Sequence, residues 1–237
     1  MIKIIQQRDA GESEWVSISD LMSVLMMIFL FVAISYMHNV QQSQLQVKKI
    51  AVAYQELQTD LYQELWKEFE KDLPKWKAVI DKETLTIRFE EPDVLFRAGS
   101  AGLAKEFKVI LDDFFPRYIK ILSSNKYRDN IEEIRIEGHT SSEWSDGGHG
   151  MGAYFKNMGL SQDRTRSVLN YCATLISDNE VLDWSLKHLS ANGLSSSKKI
   201  VNHDGIEDKE KSRRVEFRTK TNAEKKVVEI IDRMKSI

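Results

Sequence analysis

The chain has 237 residues, 42% of them hydrophobic, which is enough for one compact domain plus extra elements and too little for a large multidomain enzyme. Its 34 basic and 36 acidic residues leave a formal net charge of −2, without the basic excess that nucleic-acid binding normally needs. The single cysteine, Cys172, excludes an intramolecular disulfide and a thiolate cluster for a structural metal, so folding must rest on packing.

Residues 1–14 form an arm that mixes Lys3 and Arg8 with Asp9, Glu12 and Glu14. From Trp15 to Met37 the chain turns apolar, and Leu21 to Met37 carries no charge. Roughly 20 residues at about 1.5 Å rise cross about 30 Å of hydrocarbon, so 15–37 is read as a transmembrane helix. A soluble amphipathic helix is disfavoured because the run has no polar face. A signal peptide fits poorly, since the arm is partly acidic and no small-x-small cleavage site follows. Lys3 and Arg8 before the span nearly balance Lys48 and Lys49 after it, so the positive-inside rule leaves the orientation open.

Asp20 sits in the first turns of this span, with Ser17, Ser19 and Ser23 at nearby helical positions. A central Asp costs about 2.5–3.5 kcal/mol to insert, less near an interface, and such residues usually mark ion or proton relays. Two readings stand: an interfacial carboxylate reaching headgroup water, or an ion-translocating group that alternates between protonated and charged forms.

Residues 38–78 read as a helical connector. Ile50, Leu57, Leu61, Leu65 and Phe69 recur at helical spacing on a narrow stripe, suited to a short dimeric helix that Pro74 would end. Residues 79–237 alternate strand-like and helical segments: a strand at Leu85–Phe89, a helix around Ala101–Leu122, a strand at Ile131–Ile136, a glycine-rich loop and a helix at Leu160–Ile176. Strands near His188–Ala191 and at Arg214–Arg218 follow, then a terminal helix. The fold class is therefore α+β: one N-terminal transmembrane helix, a helical connector, then an α/β sandwich with helices on one sheet. Ser161 is expected to cap the Leu160 helix, offering its amide donors to a ligand carboxylate.

Four runs carry a specific resemblance: VLFRAGSAGL (Val94–Leu103), IEGHTS (Ile136–Ser141), NMGLSQDRTRSV (Asn157–Val168) and SRRVEFR (Ser212–Arg218). In this order they resemble the signatures of the OmpA-like peptidoglycan-binding domain, over roughly Leu85 to Arg218. The resemblance implies a periplasmic location for that domain and a cytoplasmic N-terminus. It also implies that Asn157, Leu160 and Arg164 line a pocket for the peptide stem of peptidoglycan. A guanidinium at position 164 suits a stem carboxylate, because it donates two parallel hydrogen bonds. Where the family usually has Asp after Gly-His-Thr, this chain has Ser141, and Glu143 or Asp146 is a candidate replacement for the missing charge. Arg213 and Arg214 are open to a sheet-supporting role or to ligand contact.

With its arm, single span and connector, the whole chain resembles the MotB-like B subunits of stator-type motors. The short acidic arm and the GHTSSEW stretch with its glycine-rich sequel are most similar to the B subunit of the Zorya anti-phage defence system. This implies a homodimer inside a ring of MotA-like A subunits, five A with two B, an inner-membrane location, and a proton pathway through Asp20. A flagellar MotB-like stator and a passive OmpA-family wall tether are the alternatives.

Other chemistry has little support. His139 and His149, with Glu143 and Asp146 between them, match no compact metal-binding pattern, so no metal and no cofactor are expected. GGHGMG (Gly147–Gly152) lacks the lysine and hydroxyl of a P-loop. No Gly-x-Ser-x-Gly elbow or recognisable triad appears, and the chain is not expected to be an enzyme. Cys172 is read as a core side chain, with a disulfide between two copies as the alternative.

Overall fold

The computed structural model describes residues 3–90, 95–97, 99–144, 146–222, 225 and 228, with 3–14 as backbone only. The chain divides into two compact units, residues 1–53 with 227–237 and residues 54–226, taken here in turn.

In the first unit residues 3–53 form one continuous helix, the N-terminal part of α1 (Lys3–Phe69). Its most apolar window has a mean hydropathy of 2.2, and none of that window is buried. A soluble core helix would be covered by its own chain, whereas here Phe29 is 65% and Phe31 73% exposed. Such a surface is stable only against lipid or other subunits. Ser23 Oγ donates to the Ser19 carbonyl at 2.8 Å, satisfying that hydroxyl inside the apolar stretch.

The second unit is a five-stranded sheet with helices packed on it. In chain order it contains the end of α1, α2 (Leu73–Trp76), β1 (Ala78–Asp81), β2 (Thr86–Phe89) and α3 (Lys105–Leu122). Then come β3 (Ile131–Gly138), α4 (Gly150–Thr174), α5 (Asn179–His188), β4 (Leu189–Gly193), α6 (Lys209–Ser212) and β5 (Val215–Thr221). The strand order is β1-β2-β5-β3-β4, with β3 and β4 parallel and the other neighbours antiparallel. Period-2 alternation decides the faces. Ile136 pairs with Phe217 on the helix-covered side, while Arg135 opposite Arg218 and Glu137 opposite Glu216 take the other face.

An aromatic cluster closes the core. Phe114 of α3 lies 5.0 Å from Phe217, 5.2 Å from Phe89 and 5.3 Å from Phe69, centroid to centroid. Helix α4 lays a stripe of Ala153, Asn157, Ser161, Thr165, Val168 and Cys172 against the sheet. The small residues in that stripe allow a close approach at Gly138 and Gly193, which pair in register. A Cβ on Gly138 would stand 2.6 Å from the Thr165 methyl, and one on Gly193 would fall into the Gln162 backbone.

The expected α+β class and the four expected strands are present, and several local readings change. The compact unit opens at Tyr54, inside the 38–78 stretch read as a connector. Leu61, Leu65 and Phe69 are fully buried in this unit's own core, so that part of the stripe is not free to pair with a second copy. Pro74 does not end the long helix, which stops at Phe69; it occupies the first turn of α2, where its missing N–H costs nothing. The Leu160 helix begins at Gly150, so Ser161 is a mid-helix residue and not a cap. Its hydroxyl donates to the Met158 carbonyl at 3.0 Å and accepts from the Ser195 amide at 3.1 Å. Glycines 152 and 159 look like breakers in sequence, but the helix runs through them because Ala153 and Asn157 anchor its buried face. Strand β1 and helix α5 have no counterpart in the sequence reading, and of the expected terminal helix only Lys225 and Val228 are described, both helical.

Candidate functional site

The four sequence motifs meet at one end of the sheet. The first supplies an irregular hairpin in which Phe96 pairs with Leu103, and Ser100 presents its carbonyl inward. The second carries β3 past its last residue, where the His139 amide donates to the Arg214 carbonyl at 3.0 Å and joins it to the fourth motif. The third is the middle of α4, held down by the contacts at Gly138 and Gly193.

Arg164 reaches from α4 into a narrow cleft bordered by Leu95, Phe96, His139, Arg213 and Arg214. Its Nε donates to the Ser100 carbonyl at 3.0 Å, and its guanidinium stands over the Phe96 ring at 4.7 Å. Burial, and then the neighbouring Arg213 charge, push its pKa down to about 10. Among the described residues Arg164 makes no ion pair, and the Arg213 charge acts on Glu143 only from beyond salt-bridge distance. Two neighbouring guanidiniums, one largely desolvated, repel each other and are both relieved by an anion bound between them.

The other expected site residues are placed differently. Asn157 is buried at 4% exposure, and its Nδ2 donates to the carbonyls of Ser141 (3.1 Å) and Glu143 (3.2 Å). It ties the segment after β3 to α4. Neither Asn157 nor Leu160 borders the cleft. The structure also separates the two arginines of the fourth motif. Both border the cleft, but Arg214 is buried and spent on Glu216 Oε1 (2.7 Å) and the Ser212 carbonyl (3.2 Å), whereas Arg213 is half-buried.

Glu143 pairs with Lys209, while Asp146 accepts from the Gly148 amide (2.8 Å) and Lys156 (3.3 Å). Each carboxyl is held below the usual carboxylate range, by Lys209 for Glu143 and by the Gly148 amide first for Asp146. The residue after the substituted position is bonded to a different carboxylate, Glu207, which accepts from the Ser142 amide (2.9 Å) and the Ser142 hydroxyl. No local pattern marks Glu207 in the sequence, because it arrives from a turn 65 residues on.

No family model matches the chain. Among curated proteins, Zorya protein ZorB of Escherichia coli (strain ATCC 8739) is 47% identical over 229 residues, covering 97% of either chain. Among solved structures, a MotB-like protein from Desulfovibrio vulgaris aligns with 70% of this chain and 96% of its own, at 23% identity and a TM-score of 0.50. The periplasmic domain of Helicobacter pylori MotB (residues 78–256) aligns with 62% of this chain and 84% of its own, at 19% identity and a TM-score of 0.42.

Proposed function

The chain belongs to the family of Zorya protein ZorB, and from that membership we propose that it is the wall-anchored B subunit of an ion-driven, stator-like defence motor. In this reading residues 1–14 are cytoplasmic, residues 15–37 cross the inner membrane once, and the OmpA-like unit stands in the periplasm. Two copies pair inside a ring of five A-type subunits, and the chain itself performs no catalysis. Asp20 takes up a proton from one side and releases it to the other as the ring steps round, so that a carboxylate costly to bury does work through its change of charge.

The domain end of the chain supplies the fixed point. Arg164 and Arg213 would receive a carboxylate of the peptidoglycan stem, with Phe96 and Ser100 setting the guanidinium plane. Asn157 contributes by holding the Ser141–Glu143 segment in place, and Leu160, outside the cleft, would meet only a part of the stem that extends beyond it.

One observation carries the motor reading: Asp20 is the one charged residue between Trp15 and Met37, on a helix that the described residues leave uncovered. The test is proton uptake by sealed vesicles holding the chain with its A-type partner. Uptake lost in Asp20→Asn, with the complex still co-purifying, supports the reading. Uptake unchanged in that variant reduces the chain to a passive tether.

A further inference from the structure

Beside the arginine cleft, which His139 borders, the second unit contains a buried trio that neither the anchor nor the motor gives a role. Glu137 is the last residue but one of β3, His139 follows the strand, and Glu216 lies across from Glu137 on β5. The side chains of Glu137, His139 and Glu216 are 1%, 0% and 8% exposed. His139 Nε2 stands 3.6 Å from Glu137 Oε2 and 3.5 Å from Glu216 Oε2, and these three atoms lie within 4.8 Å of one another. Glu137 Oε2 and both ring nitrogens of His139 make no hydrogen bond.

Those separations are long for a salt-bridged histidine, which would draw one carboxylate oxygen to about 2.7–2.9 Å. The two distances from the histidine match edges of a coordination polyhedron: ligand bonds of about 2.0–2.2 Å at tetrahedral angles place neighbouring donors roughly 3.3–3.6 Å apart. The outward oxygens are fixed as a second shell would fix them. Glu216 Oε1 accepts from Arg88 Nε (2.8 Å) and Arg214 Nε (2.7 Å), and Glu137 Oε1 faces Arg135 Nη1 at 3.5 Å. Each carboxylate thus keeps Oε2 turned toward the histidine.

We propose that Glu137, His139 and Glu216 form a site for one divalent transition-metal ion, with zinc the best match to an imidazole and two carboxylates. The charge around the site limits its strength. Arg88, Arg135 and Arg214 oppose a dication, although Arg88 also faces Glu90 and Arg135 also pairs with Glu133. The direct competitor is Lys198, whose Nζ stands 4.0 Å from Glu137 Oε2 on a side chain 53% exposed and free to swing out. An ion here would cross-link the ends of β3 and β5 beside the cleft, independently of whether the cleft holds a wall stem.

The experiment is metal analysis of the full-length, tag-free chain in detergent after equilibration with zinc, together with the absorption spectrum of its cobalt(II) form. About one ion per chain is expected, with a cobalt spectrum typical of low coordination number. His139→Ala should lower the affinity at least tenfold, whereas Lys198→Ala, which removes the competing ammonium, should raise it about tenfold. Stoichiometric zinc unaffected by His139→Ala would place the ion elsewhere and overturn the proposal. So would a wild-type chain that takes up no zinc and gives only the spectrum of aqueous cobalt. The wild-type spectrum and the Lys198→Ala variant keep the test decisive even if His139→Ala does not fold.

Discussion

The Arg164 guanidinium is held over the ring of Phe96 at 4.7 Å, so the charge most suited to a ligand is kept in one plane before any ligand arrives. The first and third sequence motifs, far apart in the chain, thus build one binding element. Pre-positioning a rotamer-rich side chain removes part of the ordering cost of binding.

Arg164→Ala should reduce co-sedimentation of the full-length chain with purified sacculi by about 10- to 100-fold, because a bound carboxylate would lose its charged partner. Arg164→Lys should rescue little, since a point charge cannot donate two parallel bonds or stack on Phe96. Arg213→Ala should weaken sedimentation by a smaller factor. Arg214→Ala should act through unfolding instead, because it would leave Glu216 short of a partner in a buried position.

A second prediction separates a domain core from a dimer seam. Leu65 is fully buried within the unit that begins at Tyr54. Leu65→Ala should therefore cost about 2–5 kcal/mol of domain stability, read as a lower Tm. A residue serving only to pair two copies would lower cross-linking between copies and leave the Tm of the unit unchanged.

Much of this was legible in sequence, and the misreadings have identifiable causes. The long apolar helix, the class and the four strands followed from hydropathy and alternation, because those periodicities report directly on burial. The Leu61–Phe69 stripe was equally visible, but periodicity gives a buried face without saying what buries it; Phe114 and Phe89 do so from distant segments. Ser161 followed by Asp163 imitates a helix start, yet the start lies at Gly150 because Asn157 binds two loop carbonyls, a contact with no local signature. Arg164 could be found from its motif. Arg213 as its neighbour and Glu207 as the partner of Ser142 could not, since each depends on pairing across tens of residues.

Acid sensitivity follows from the junction of α1 with α3. Arg117 donates to Glu68 (2.7 Å), Asp72 (3.1 Å) and Asp113 (3.1 Å), and stacks over Phe69 at 4.9 Å. Asp72 is held below its ordinary pKa by Lys75 first and Arg117 next. A depressed carboxylate pKa contributes stability that is present above the unfolded-state value and is lost as pH falls through the folded-state value. Arg117→Met should cost about 1–2 kcal/mol at pH 7, discounted for the partly exposed partners, and the difference from wild type should shrink below about pH 4. Unfolding midpoints across that range would check it.

Cys172 is fully buried on α4, and burial pushes its thiol pKa well up. A buried thiol that stays protonated is a poor nucleophile. It should resist maleimide in the native chain, react fully in denaturant, and form no disulfide between copies in an oxidising buffer. Rapid native labelling would show that α4 opens locally.

The central claim is that charge exchange at Asp20 drives a defence motor. The most direct measurement is phage plating efficiency on cells carrying the native gene neighbourhood, comparing wild type with Asp20→Asn at matched membrane levels. Protection is expected with wild type and its loss with the Asn variant, with the chain still inserted and bound to its A-type partner. Protection undiminished in Asp20→Asn would contradict it and leave a wall tether with an interfacial carboxylate.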